Sequence, residues 1–322
     1  MRKSIVLLLA MSAMLVFLAG GLSGCGRNND PKPRASFGTY WWQAVTNDTM
    51  TNDLKMLEFA AKHGINEIYL HQGGRLQEVN PNGVWGPNGT AGVVNPTRQF
   101  IAAASQRGIR VYQLFSSGGN ILLEDNSARA RFDLSMVGLQ SYQQLVKENE
   151  RFAGLQFNIE PHQMPDWAQN RNIWCQRKID FAEHVHDTYG SEFSIDWCIP
   201  AWRHNPEFDL VTHRGIAGVP LYQAIMREGN RTQVMAFRRT AEQMVNFGRN
   251  VLTFGREIGK EVIAIATVFA SDGPNFEFHE LGEEAMLREL GRINSIATSE
   301  IGKMKTGTAV HHIATWYNWG NA

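Results

Sequence analysis

Eight short apolar or aromatic runs recur along this chain, most of them separated by an amphipathic stretch, and this alternation limits the fold more than any other feature. The strand-like runs are residues 37–43, 65–71, 109–116, 154–160, 193–202, 233–238, 261–269 and 308–316. Helical spacing of apolar residues fills 52–63, 97–107, 127–149, 167–189, 240–259 and 282–298. Residues 206–230 are less regular, with a short helical pattern near 221–227. Gly64, Gly108 and Gly259 directly precede strand-like runs, where a left-handed helix cap belongs. Eight strands alternating with helices over about 285 residues are the count and length of an α/β chain closed into a single (β/α)8 TIM-type barrel. A doubly wound open sheet competes, but no glycine-rich phosphate loop follows the first strand.

The fourth run sets the register. Leu155, Phe157 and Ile159 alternate with Gln156, Asn158 and Glu160. The two-residue period gives one apolar and one polar face. In a barrel, the polar face turns inward and the apolar face meets the helices. Pro161 cannot continue the ladder, so Glu160 falls at the carboxyl end of the strand. Barrel enzymes carry their chemistry at that edge. A surface strand with a solvated polar face is the plainer alternative.

The amino terminus carries a targeting signal. Arg2 and Lys3 precede an apolar run from Ile5 to Leu18, and small residues follow up to Cys25. This is the layout of a signal peptide. Leu22-Ser23-Gly24-Cys25 resembles the bacterial lipobox, which implies cleavage before Cys25 and lipid on its sulfur. The expected organisation is a lipoprotein signal peptide over 1–24, a lipidated Cys25 with a flexible tether over 25–36, and the barrel over 37–322. The expected location is the bacterial cell envelope, anchored to the membrane through Cys25 and facing outside the cytoplasm. Lys plus Arg equals Asp plus Glu at 31 each, so no basic excess exists to hold nucleic acid. Outside the cytoplasm Cys175 and Cys198 could pair as a disulfide or stay as two buried thiols.

Reading outward from the strand ends gathers Trp42, His71, Glu160, His162, Trp202, Arg238 and Trp316 at one rim. Aromatic faces stack on sugar rings and polar side chains bond hydroxyls, so this rim suits a glycan or oligosaccharide. Each Trp could equally pack between helix and barrel.

Ala153 to Glu160 resembles the strand-four motif of chitinase-like glycoside hydrolases, Asp-Gly-x-Asp-x-Asp-x-Glu. Pro161-His162, Met235-Ala236-Phe237-Arg238 and His311-His312-Ile313-Ala314-Thr315-Trp316 are similar to segments of related, poorly characterised exported barrels, which carry Asp-x-Glu-Pro, Met-x-Tyr and His-His-x-x-Ser-Trp. The resemblance implies a glycosidase-like barrel with Glu160 as general acid. It places Asn158 on an aspartate, Phe237 on a tyrosine, and Ala266 where a strand-seven Glu would stand. Glycoside hydrolysis normally uses two carboxyl groups, and the obvious second is missing. Asp196, inward-facing on the fifth strand near Asn158, is one replacement, or a structural aspartate. Asp272, Glu277 and Glu280 follow the seventh strand as loop acids. His311 and His312, adjacent on a strand, should face opposite ways. No metal spacing or cofactor signal is present. Two functions remain open: a membrane-anchored glycoside hydrolase acting on an extracytoplasmic glycan, and a catalytically inactive glycan-binding barrel lipoprotein.

Overall fold

The computed structural model describes residues 35–72, 95–123, 127–201 and 209–319. All of them belong to one unit, Ala35–Ala322. Cys25, its tether and Trp202 lie outside the described residues.

Eight parallel strands close on themselves in the order β1 (Phe37–Trp41), β2 (Glu67–Leu70), β3 (Arg110–Ser117), β4 (Gly154–Ile159), β5 (Ser194–Pro200), β8 (Arg231–Met235), β9 (Glu261–Thr267) and β10 (Thr306–His311). The expected (β/α)8 barrel is therefore the observed fold. Helices α1 (Met50–Lys62), α2 (Asn95–Gln106), α3 (Ser127–Leu145), α4 (Trp167–Tyr189), α5 (Leu221–Glu228), α6 (Ala241–Phe247), α7 (Arg249–Glu257) and α8 (Glu283–Glu300) connect the strands, and α9 (Ile313–Trp319) follows the last. Gly64, Gly108 and Gly259 adopt φ of 78°, 71° and 70°, the left-handed conformation expected at the helix ends.

The irregular region holds an extra antiparallel hairpin, β6 (Leu210–His213) and β7 (Ile216–Pro220), ahead of α5. Its turn places both Arg214 and Gly215 at positive φ, 50° and 80°. Paired positive φ is the tight-hairpin geometry, and an arginine there hides the usual Asn-Gly signal.

The fourth strand has the expected register. Leu155, Phe157 and Ile159 join the apolar layer between strands and helices. Phe157 stacks on Trp197 at 4.6 Å and 21°. Burying such a side chain contributes about 1.5–3 kcal/mol, and an aromatic pair about 0.5–1.5 kcal/mol more. A second apolar cluster fills the barrel interior, including Tyr40, Tyr69, Tyr112, Leu114, Cys198 and Ile265. Three tyrosines need room: a Cβ on Gly38 would stand 2.7 Å from the Tyr69 ring. The Tyr40 hydroxyl donates to Gln233 at 2.5 Å and accepts from the Gln156 amide at 3.3 Å.

The floor of the barrel is ionic, and it claims Asp196. This residue faces inward as expected, but it pairs in register with Gln156, not Asn158. The Arg231 guanidinium donates to both its oxygens at 2.5–3.1 Å and to Glu67 at 2.7 Å. Asp196 is wholly buried there and does not line the cavity at the strand ends, which favours the structural of its two expected readings over the catalytic one. Burial pushes the Glu67 carboxyl up, but Arg231, Tyr69 and Arg110 outweigh it and hold the group below its usual range.

Two strands end earlier than the sequence suggests. The sixth barrel strand stops at Met235, and the last stops at His311. After His311, alternation gives way to Ile313, Trp316 and Tyr317, a three-and-four spacing that folds as α9.

Candidate active site

A cavity of about 340 Å³ lies at the carboxyl ends of the strands. Tyr40 and Trp42 come to it from β1 and just beyond, Ser116 from β3, Asn158 and Glu160 from β4 and its end, and Cys198 from β5. Met235 and Phe237 come from β8 and beyond, Ile265 from β9, and His311 from β10. Gln163 and Asp272 enter from loops. The rings of Tyr40 and Trp42 stack at 5.7 Å, giving the wall an aromatic platform.

Glu160 stands where β4 breaks at Pro161. Its Oε1 accepts from the Asn158 amide at 2.9 Å and its Oε2 from the Gln163 amide at 3.2 Å. His162 Nε2 lies 3.2 Å from Oε2. Burial pushes this carboxyl up. The His162 contact, the Asn158 hydrogen bond and the Lys178 charge outweigh burial and hold it below the usual glutamate range. The site therefore presents a carboxylate at neutral pH. Asn158 Oδ1, buried, has no hydrogen-bond partner among the described residues.

The second carboxyl comes from the loop after β9. Asp272 lines the same cavity, and its Oδ2 accepts from the Thr267 hydroxyl at 2.5 Å. Position 266 carries no acid; it is a buried alanine of the outer layer. A carboxyl therefore stands near this end of β9 on the following turn, Ala270–Asp272.

His311 forms the wall opposite. The Trp42 indole donates to its Nε2 at 2.9 Å, so the neutral ring carries its proton on Nδ1. Nδ1 has no partner. Burial, with His312 beside it, pushes His311 down to about 4 despite the opposing pull of Glu160. Phe237 stacks on His311 at 6.0 Å and 26°, occupying the place the resemblance gives to a tyrosine.

The remaining rim candidates divide. Trp42 lines the cavity. His71 lies 5.9 Å from Trp42 and lines an adjoining recess of about 210 Å³ that shares Ser116. His162 touches Glu160 but borders a small gap behind the cavity. Trp316 is corrected: on α9 it is fully buried, 5.3 Å from Phe59 and 5.1 Å from His63, with its indole donating to Glu283 at 2.7 Å. Arg238 is corrected too. Because β8 stops at Met235, its guanidinium turns away, 3.7 Å over the Phe247 ring and 4.9 Å over Phe276. Glu277 pairs with Arg239. Tyr40 and Gln163 went unnoticed in the sequence. Tyr40 shares the inward parity of Trp42, a signal that was available; Gln163 carries none.

Cys175 and Cys198 are separate buried thiols, on α4 and inside β5. Outside the barrel, Glu183, His213 and Glu228 bring potential metal-ligating atoms within 4.8 Å of one another. Arg214 already bonds Glu228 and, bidentately, Asp187, so the cluster reads as a staple holding the hairpin to α4 and α5.

No known protein family and no curated protein matches this sequence. Solved structures match its fold. The C-terminal domain of a candidate chitinase from Desulfitobacterium hafniense aligns over 89% of this chain and 98% of its own, at TM-score 0.52 and 13% identity. A β-glucosidase from the fungus Trichoderma reesei aligns over 86% and 88%, at TM-score 0.54 and 8% identity. An endoglucanase from Pseudomonas stutzeri, in complex with cellobiose, aligns over 88% and 85%, at 0.50 and 11%. At these identities the likeness is one of fold.

Proposed function

We infer that this barrel acts on a glycan as a glycoside hydrolase, with Glu160 and Asp272 as its pair of carboxyl groups. The observation that carries the reading is that these two acids, from strand ends three places apart around the barrel, line one cavity together with the stacked rings of Trp42 and Tyr40. Glycoside cleavage uses two carboxyls flanking the bond, one ionised and one protonated. Glu160, with its carboxyl held below the usual range, suits the base or nucleophile better than a general acid. Asp272 is then the second carboxyl group of the cavity. The glycosidase-like solved structures share this architecture and supply the substrate class as analogy. The lipobox-like Leu22-Ser23-Gly24-Cys25 supports a membrane-tethered protein facing an extracytoplasmic glycan.

Chromogenic glycosides of several sugars test the activity. Glu160→Gln and Asp272→Asn should each lower turnover about 10²–10⁴-fold while the fold survives. Undiminished turnover in folded Glu160→Gln removes Glu160 from the chemistry. If wild type cleaves nothing yet calorimetry detects sugar binding, the protein is a glycan-binding barrel. Cys25→Ala should release the protein from membranes. A mature amino terminus elsewhere, without lipid, removes the anchor.

A further inference from the structure

Lys178 stands behind the site without entering it. It sits on α4, 3% exposed, and does not line the cavity. Its Nζ donates at 2.8 Å to the carbonyl of Ile159, the residue before Glu160. With Pro161, His162, Trp167 and Tyr222 it borders a gap of about 20 Å³ behind the strand end. A buried lysine costs free energy unless a negative group or dipole answers it. The end of β4 offers both, a carbonyl oxygen in contact and a carboxylate on the next residue.

Among the described residues, the other groups that touch Glu160 or line its cavity supply no permanent positive charge. Asn158 and Gln163 offer neutral amides. His162 is a cation only when protonated. Cys198 and Asp272 add no positive charge, and burial disfavours the charged form of His311. We propose that Lys178 is a positioning residue for Glu160: from behind β4 it fixes the Ile159 carbonyl, and with it the strand end that carries the carboxylate, and it adds a positive charge there that favours the ionised form. This rests on Glu160 being the reacting carboxylate. It adds that the strand end carrying that group is held, and its ionised form favoured, partly from outside the cavity, by a side chain that does not line it.

The test is a carboxyl-carbon NMR titration of the full chain carrying ¹³C-labelled glutamate, with the Glu160 signal assigned by its loss in Glu160→Gln. Lys178→Gln still donates to Ile159 but carries no charge, and Lys178→Arg keeps the charge. In Lys178→Gln, Glu160 should titrate at higher pH, with proton affinity raised at least threefold, while Lys178→Arg follows wild type. Where hydrolysis is measurable, the acidic limb of kcat/KM should move by the same factor. Superimposable Glu160 titrations in Lys178→Gln and wild type overturn the proposal. Should Lys178→Gln not fold, Lys178→Met, an apolar side chain of similar length, gives the same reading. The titration needs no turnover, so failure of the hydrolase reading leaves a separate, visible result.

Discussion

Acidification from pH 7 to pH 4 should destabilise this protein in a part that belongs to His311 alone. In the folded chain burial pushes this imidazole down to about 4, against an ordinary 6.5. Between those values the unfolded chain takes up a proton that the folded chain refuses. Stability therefore falls as pH drops through that window. The difference is 2.5 pH units, and each unit corresponds to about 1.36 kcal/mol. Because the folded ring is itself half protonated at pH 4, the loss there is about 3 kcal/mol. His311 lies on a cavity wall that water reaches, and screening reduces the expected figure to about 2 kcal/mol. His311→Gln removes the titration, while its amide oxygen can still accept from the Trp42 indole. Urea unfolding of both proteins at pH 7, 5.5 and 4 isolates the effect, since His71, His312 and the carboxyls titrate in both. The wild type should lose about 2 kcal/mol more than the variant. Parallel losses, within about 0.5 kcal/mol, would refute the reasoning.

Three further outcomes follow from the packing. Arg231→Leu should cost about 3–5 kcal/mol in urea unfolding, because it leaves Asp196 buried without its cation and Glu67 with Arg110 alone; a cost below about 1 kcal/mol would show that water reaches the barrel floor. Trp316→Phe should cost about 1.5 kcal/mol, from the lost hydrogen bond to Glu283, and leave any sugar affinity unchanged by calorimetry. Phe157→Ala should cost about 3–5 kcal/mol by thermal or urea melting, since the ring is fully buried against Trp197 and Phe115.

The sequence by itself determined the barrel. Strand and helix periods are local, and alternation in residues 154–160 told which side chains face inward before any packing was known. The same parity led to Glu160, Asn158 and Trp42. The polar floor escaped this reasoning because parity places a residue on a face but not at a height. Asp196 and Asn158 share the interior, yet strand stagger puts one with Arg231 at the floor and the other beside Glu160 at the mouth.

Trp316 and Arg238 were misplaced for a different reason. Both depended on where a strand ends, and strands β8 and β10 stop three or more residues before them. In the last case the helical spacing of Ile313, Trp316 and Tyr317 was already present, but the β-rich residues before it masked the change of period. Asp272 was the reverse. A loop acid has no period, and only the turn after β9, held by the Thr267 hydroxyl, brings it to the cavity that Glu160 lines. Local pattern fixes faces because backbone geometry repeats every residue. Heights, strand ends and loop paths depend on contacts between residues far apart in the chain, and those exist only once the barrel has closed.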